Sequence, residues 1–500
     1  MMKMVFALSA LALTAVLPAA AKVELGSPFK DKAVLQRGVP VPVWGWADPG
    51  EKVTVTFAGN AVSAKAGADG KWMVKLPAME ASSENRVLKA NDVEVKDVLV
   101  GEVWFCAGQS NTELPLVGWH PHFSDREGRM IAQLVREPTV RYAFCSNYQW
   151  SPTPKAKIEC NDYPAWKEFN KENLVPWPSF SAMGVYFALQ LHEALDVPVG
   201  IVGCYWGGTS IDPWTPRSGY EGKPRLKETA GFKVVGKDAW KDEMKKGPIC
   251  EGRQQPTVLW NEMVAPWVPY ASKGMIWYQG CSNQGEGDVY CDKMHALYDG
   301  WSKEFKNPKF KIYFAQLAPW IQSWWDIQMA QEKFADEEPN AGMVVTCDVG
   351  NNADIHPNEK GTVGRRLAAL ALRRDYGRDD IVADYPRVVK ARAVGREVVL
   401  DCSDVKSWRL YNADWSIAHG FEIKDENGTW KKAHFVNCND GARNTNPFYT
   451  IGLVEGAEIH LTADDVWEPK GVRYLHEHPW NGFLYADTGL PLGPFIREWK

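Results

Sequence analysis

Between residues 98 and 378 the chain alternates short apolar runs with longer stretches of helical spacing. The runs at 103–107, 200–206, 274–279, 311–317 and 342–348 have strand length, and the first belongs to a longer apolar stretch, 98–106. Between and after them, 181–195 carries apolar residues at helical spacing through Ala182, Tyr186, Leu189 and Ala194. Residues 358–374 open polar and continue as Arg365-Arg366-Leu367-Ala368-Ala369-Leu370-Ala371-Leu372. Strands alternating with helices predict an α/β fold with a parallel sheet.

The flanks read differently. In 22–97 the runs 33–37 and 41–46, a Pro49-Gly50 turn and alternating Val53, Val55 and Phe57 predict β structure. Asp69-Gly70-Lys71 is expected to turn a hairpin between 62–66 and 72–76. This region is read as a small β-sandwich that packs on the rest rather than as a sugar-binding module. Residues 379–500 return to β texture at 387–394, 397–402, 420–424 and 458–462, with a turn at Asn427-Gly428. The segment 217–255, frequent in Lys and Gly, is an excursion between sheet strands that could serve as a lid.

The first 21 residues have the form of a secretory signal: Lys3, an apolar stretch over 5–17 and Ala19-Ala20-Ala21 as a cleavage site. The mature chain is therefore expected to begin near Lys22 and to be secreted or periplasmic. No later stretch reaches the ~18 apolar residues of a membrane span. A length of 500 residues predicts two or three domains. The net charge of −5, without a basic block, argues against nucleic acid. The 24 Trp are enough to fill cores and also supply flat faces for stacking on sugar rings. The ten cysteines are scattered without a CxxC pair, so no zinc site is expected. Cys106, Cys204 and Cys347, in strand-like runs, are read as buried small hydrophobes; one or two disulfides are allowed, and their connectivity cannot be read from sequence.

In parallel α/β sheets, sites form at the carboxyl ends of strands. Four of the five runs end in residues of unusual chemistry: Gly108-Gln109-Ser110-Asn111, Trp206-Gly207-Gly208-Thr209, Gly280-Cys281-Ser282-Asn283, and Asp348 leading to Asp354-Ile355-His356-Pro357. A serine nucleophile needs a base, and the base needs a carboxylate to orient it and stabilise its cation. Ser110, His356 and Asp354 can fill these roles. A tetrahedral oxyanion needs preorganised donors; candidates are the Ser110 N–H, an N–H of Gly207 or Gly208, and the Asn283 amide. Gln109, Trp206, Gln279 and Trp324 flank these motifs as candidate sugar contacts, with Trp320 and Trp325 beside Trp324. The pairs His120/His122 and His476/His478 are read as ordinary.

Together the four motifs resemble the SGNH-type hydrolases, and within them the sialate O-acetylesterase-like group of bacterial carbohydrate esterases. The resemblance covers nearly the whole mature chain, from Ser27-Pro28-Phe29 to Pro491-Leu492-Gly493-Pro494. It implies a flavodoxin-like three-layer α/β/α catalytic domain over 98–378, flanked by β domains at 22–97 and 379–500. It implies a serine esterase that removes O-acetyl groups from glycans, sialic acid first, with no metal and no organic cofactor. Acetylated xylan or pectin is the alternative substrate, and a non-catalytic carbohydrate-binding protein the alternative class. Three positions depart from the group's pattern. Cys281 stands where Glu is usual, and Thr112 where Met is frequent, which predicts a more polar cleft wall. Ala353 occupies the place, three before His, where many members carry Asp. That leaves Asp348 as a second candidate to orient His356, behind Asp354. The sugar and the oligomeric state stay open.

Overall fold

All five apolar runs form strands, and they lie side by side and parallel. A computed structural model describes residues 23–118, 126–145, 148–159, 165–175, 180–237, 239, 252–350, 353–411, 420–439, 451–476 and 483–499. The secretory segment, His120, His122, His478, Cys160, Cys250 and the 240–251 part of the excursion lie outside the described residues. In the central sheet the strands Val199–Tyr205, Val93–Gly108, Gly274–Tyr278, Lys311–Ala315 and Ala341–Val344 are neighbours in that order. Beyond Val199–Tyr205 the sheet adds Arg136–Phe144 in parallel and then Lys167–Asn170 antiparallel. The sheet is therefore mixed and the fold α/β. Val103 to Ala107 have no solvent exposure, as expected for strands covered on both faces.

Helix Ala182–Leu195 begins where the Ser181 hydroxyl accepts the Gly184 N–H at 3.1 Å, an N-cap that satisfies one orphan donor. It packs on helix Lys360–Asp375, and helix Gly287–Glu304 packs on helix Trp325–Glu337. Two of these four helices, at 181–195 and 358–374, carry the spacing seen in the sequence.

The long strand Val93–Gly108 crosses the boundary expected at 97/98. Its first half pairs with Ser82–Ala90 and Val34–Gln36, its second half with the parallel strands. One hydrophobic core accordingly runs from Val23 through the N-terminal strands into the α/β sheet. The hairpin expected at Asp69-Gly70-Lys71 is not formed. Asn60–Lys65 pairs with Lys52–Phe57, whereas Lys71–Leu76 pairs with Val41–Trp46 in a separate three-stranded sheet with Glu24–Leu25. The turn thus passes the chain between sheets, with Gly70 at φ +74°.

Arg387–Val394, Glu397–Ser403, Phe421–Lys424 and Ile459–Ala463 form as the C-terminal pattern predicts, within a seven-stranded sheet. A second core centred on Leu400, Trp408, Ile423 and Leu461 also takes in Val345 and Cys347. Cys106 and Cys347 are free and buried, as expected. Cys204 is not: it is joined to Cys145 in a disulfide, because the parallel pairing of Arg136–Phe144 and Val199–Tyr205 brings the two strands' ends together.

Candidate active site

Gly108 sets the level of the site. In the two parallel ladders it stands opposite Tyr205 on one side and Tyr278 on the other. The residues that follow, Gln109-Ser110, Trp206-Gly207 and Gln279-Gly280, therefore leave the sheet at one edge. The Gln109 N–H donates to Tyr278 O and the Trp206 N–H to Gly108 O, both at 3.2 Å. Gly108 has φ +142°, and a Cβ there would lie 2.4 Å from both Thr112 Oγ1 and Tyr278 O. Only glycine lets the chain turn so sharply into the serine.

Ser110 opens a single helical turn, Ser110–Glu113, and is partly exposed. As the first helical residue its N–H has no intrahelical acceptor, and it meets none among the described residues. Its neighbours hold the turn down. Asn111 donates to Ile355 O at 3.1 Å, and its Oδ1 accepts from Lys360 Nζ at 2.7 Å. Lys360 also donates to Pro357 O at 2.6 Å. The residues next to Ser110 and next to His356 are thus bonded directly, although 244 positions separate Asn111 from Ile355. Thr112 is fully buried, its hydroxyl bonded to Ala107 O and Tyr278 O, so it braces the turn and does not form the polar cleft wall expected of it.

Asp354 Oδ1 accepts the His356 backbone N–H at 2.9 Å and stands 3.6 Å from His356 Nδ1. Asp348, the second candidate, is engaged elsewhere. Both of its oxygens are held by Arg366, at 2.7 and 2.6 Å, and one also accepts the Tyr485 hydroxyl at 3.2 Å. Its carboxylate is thus committed to Arg366 and Tyr485.

The Gly207 N–H donates to Glu113 Oε2, so it is not an open oxyanion donor. A Cβ on Gly207 would come 2.9 Å from that oxygen and 3.3 Å from Ser110 Cβ, which places the glycine turn directly against the serine. Gly208, at φ +70°, has an N–H that meets no acceptor among the described residues. Asn283 is fully buried. Its Oδ1 accepts from Ile211 N and Gln279 Nε2, and Nδ2 donates to Glu286 at 2.8 Å, which leaves one amide hydrogen.

Three of the four expected sugar contacts, Gln279, Gln109 and Trp324, are interior instead. Gln279 is fully buried, with its amide divided among Thr209 O, Asn283 Oδ1 and the Tyr290 hydroxyl. Gln109, 3% exposed, accepts from Gly280 N and Ser282 N and so ties the serine turn to the next strand end. Trp324 is 3% exposed and stacks on the partly exposed Trp320 at 5.2 Å, and Trp325 packs edge-on against His476. Trp206 remains partly exposed, with Tyr148 against its ring and the Arg253 guanidinium 5.2 Å above it.

Three polar groups escaped the sequence reading. Glu113 lies one helical turn from Ser110 and accepts from Tyr148 and Gly207; burial raises its pKa, with Arg253 nearby pulling the other way. Lys360 is 1% exposed, and burial lowers its pKa to about 7. Arg253 faces Gly208, where a Cβ would lie 3.5 Å from its Nη2. The i, i+3 spacing from Ser110 and the i, i+4 spacing from His356 were the only signals for the first two.

Residues 100–373 match the family model for carbohydrate esterases described as sialic acid-specific acetylesterases. The human sialate O-acetylesterase is 27% identical over 425 residues, covering 76% of each chain. The rat sialate O-acetylesterase is 25% identical over 510 residues, covering 91% of this chain and 90% of its own. A carbohydrate acetylesterase of known structure from Xanthomonas citri superposes with a TM-score of 0.78 at 28% identity, covering 96% of this chain and all of its own. The matched family segment spans every strand end described above, and with it this chain belongs to the sialic acid-specific acetylesterase family of carbohydrate esterases, which are carboxylic ester hydrolases.

Proposed function

We propose that the protein is an exported serine esterase that removes O-acetyl groups from glycans, with acetylated sialic acid as its substrate. The bond from Asn111 to Ile355, which couples the Ser110 turn to the His356 loop, is the observation that carries the reading. Ser110 Oγ attacks the acetyl carbonyl while His356 takes its proton. The tetrahedral oxyanion is met by the N–H groups of Ser110 and Gly208, with the free Asn283 hydrogen as a third donor. Collapse expels the sugar hydroxyl, which receives the proton from His356, and leaves an acetyl-serine. Water, deprotonated by His356, then releases acetate and restores Ser110. Asp354 holds the imidazolium. The catalytic unit is the SGNH-type three-layer domain over 98–378, with the β regions at 22–97 and 379–500 packed on it.

Arg253, held over Trp206 beside the Gly208 turn, favours a sugar that carries a carboxylate, as sialic acid does and neutral xylan does not. Acetate release from acetylated sialic acid, xylan and pectin, measured for wild type and Ser110→Ala, tests both levels. Activity on the sialic acid that disappears in the variant supports the reading. Preference for xylan or pectin moves the substrate. Glycan binding without turnover on any ester makes the chain a binding protein, and equal activity in both forms removes Ser110 as nucleophile.

A further inference from the structure

Away from the strand ends, three side chains with metal-ligating atoms meet where helix Gly287–Glu304 crosses helix Trp325–Glu337. Cys291 and His295 are four apart on the first helix and so share one face. Glu337, the last residue of the second helix, reaches both. Its Oε2 lies 3.4 Å from Cys291 Sγ and 3.1 Å from His295 Nε2. All three ligand atoms lie within 4.8 Å of one another. The absence of a CxxC pair had argued against such a site, but the third ligand comes from a different helix.

We propose that Cys291, His295 and Glu337 bind a zinc ion that clamps these two helices together. Zinc takes thiolate, imidazole and carboxylate ligands at bond lengths that set tetrahedral edges of roughly 3.3–3.5 Å between ligand atoms. The Cys291–Glu337 edge already stands at 3.4 Å; the His295–Glu337 edge, at 3.1 Å, and the Cys291–His295 edge, within 4.8 Å, adjust through side-chain rotation. The donor set of one sulfur, one nitrogen and one oxygen suits zinc rather than magnesium or calcium, which bind oxygen. Cys291 is 6% exposed, which shelters the sulfur, while the His295 and Glu337 side chains, 23% and 46% exposed, leave the fourth position to water. The Phe334 ring stands edge-on 4.8 Å from the His295 ring and fixes its plane. Lys333 approaches the other Glu337 oxygen, Oε1, at 3.8 Å, so it does not occupy the ligand atom. Binding replaces the thiol proton of Cys291 by the metal and releases that proton to solvent. The first of the two helices follows directly from the turn that carries Asn283, so the clamp braces the scaffold behind the strand ends.

The test uses the full chain, stripped with chelator and then titrated with zinc and, separately, with cobalt. Metal content is read by mass spectrometry and cobalt coordination by absorption. One zinc per chain, a thiolate-to-cobalt charge-transfer band and a thermal midpoint raised by zinc are expected. The band should be lost in Cys291→Ser, and the tight equivalent lost in both Cys291→Ser and His295→Ala. His295→Ala alters a partly exposed ring and keeps the test usable if the cysteine variant folds poorly. No stoichiometric zinc, a cobalt spectrum without the thiolate band, or binding unchanged in His295→Ala would overturn the proposal.

Discussion

Lys360 Nζ stands 2.7 Å from Asn111 Oδ1 and so fastens the helix that follows His356 to the turn that carries Ser110. The amine can donate whether or not it is charged, so this bond survives its titration. Lys360→Met removes it, together with the bond to Pro357 O, and frees the two loops to drift apart. A misplacement of about 1 Å can cost on the order of 10²-fold. We expect kcat for acetate release to fall by roughly tenfold to a hundredfold, with the fold retained by circular dichroism. An unchanged kcat would show that the Asn111–Ile355 bond positions the loops alone.

The same lysine predicts how stability varies with pH. Burial lowers its pKa from 10.5 to about 7 in the folded chain. Between these values the unfolded chain keeps a proton that the folded chain has released, so stability rises with pH across the window from about 7 to 10.5. Urea midpoints measured across it should climb more steeply for wild type than for Lys360→Met. Parallel curves would mean that the folded lysine holds its proton.

Burial sets Lys360 low, and its neighbours Cys281 and Asp354 only pull back against it. Burial also pushes the Cys281 thiol up to about 12, so at neutral pH it is a weak countercharge. Glu is usual at this position in the family that the motifs resemble. Cys281→Glu would place a carboxylate beside Lys360, raise the lysine's pKa and move the lower edge of the stability window upward. The midpoint curve of this variant should be flat just above pH 7, where wild type rises. A curve that overlays wild type would show that the new carboxylate is itself protonated.

Glu113 holds the Gly207 N–H and the Tyr148 hydroxyl, and through Gly207 it sets the turn that, in the mechanism proposed above, presents Gly208 to the oxyanion. Hydrogen bonds to a charged group are worth about 1.5–3 kcal/mol. Glu113→Ala should therefore lower kcat by roughly tenfold to a hundredfold and leave KM for a small acetyl ester nearly unchanged. A rise in KM at constant kcat would instead make Glu113 part of the sugar-binding surface.

Much of this site was legible because the strand-end motifs follow directly from apolar runs, and the parallel sheet aligns those ends at Gly108, Tyr205 and Tyr278. What escaped shares one physical cause. Gln109 and Gln279 read as polar groups beside a nucleophile, yet their amides close bonds between neighbouring loops, and such partners lie 171 or 70 positions away or across a turn. Lys360 at a helix start and Glu113 before Leu114-Pro115 carry no local mark of their surroundings, and only tertiary packing draws them from water. The Asp69-Gly70-Lys71 turn fits a hairpin locally; the sheet partner of the next strand decides otherwise.

The two aspartates considered for His356 now make opposite predictions. Asp354 touches the histidine, and its side chain is 29% exposed. Asp354→Asn keeps an oxygen for the His356 N–H, so we expect thermal stability close to wild type while kcat falls by up to about 10⁴-fold, the cost of losing the orienting carboxylate in a serine triad. Asp348 accepts from both terminal nitrogens of Arg366, and its side chain is 7% exposed. Asp348→Asn leaves a buried guanidinium short of its countercharge, a change worth about 3–5 kcal/mol of stability. That variant should unfold at markedly lower urea, yet keep near-normal kcat at temperatures where it remains folded. Measuring both quantities on both variants separates the roles. If Asp354→Asn retains full kcat and Asp348→Asn abolishes it in folded protein, the loop carrying His356 must reach Asp348 during turnover, and Arg366 would have to release it.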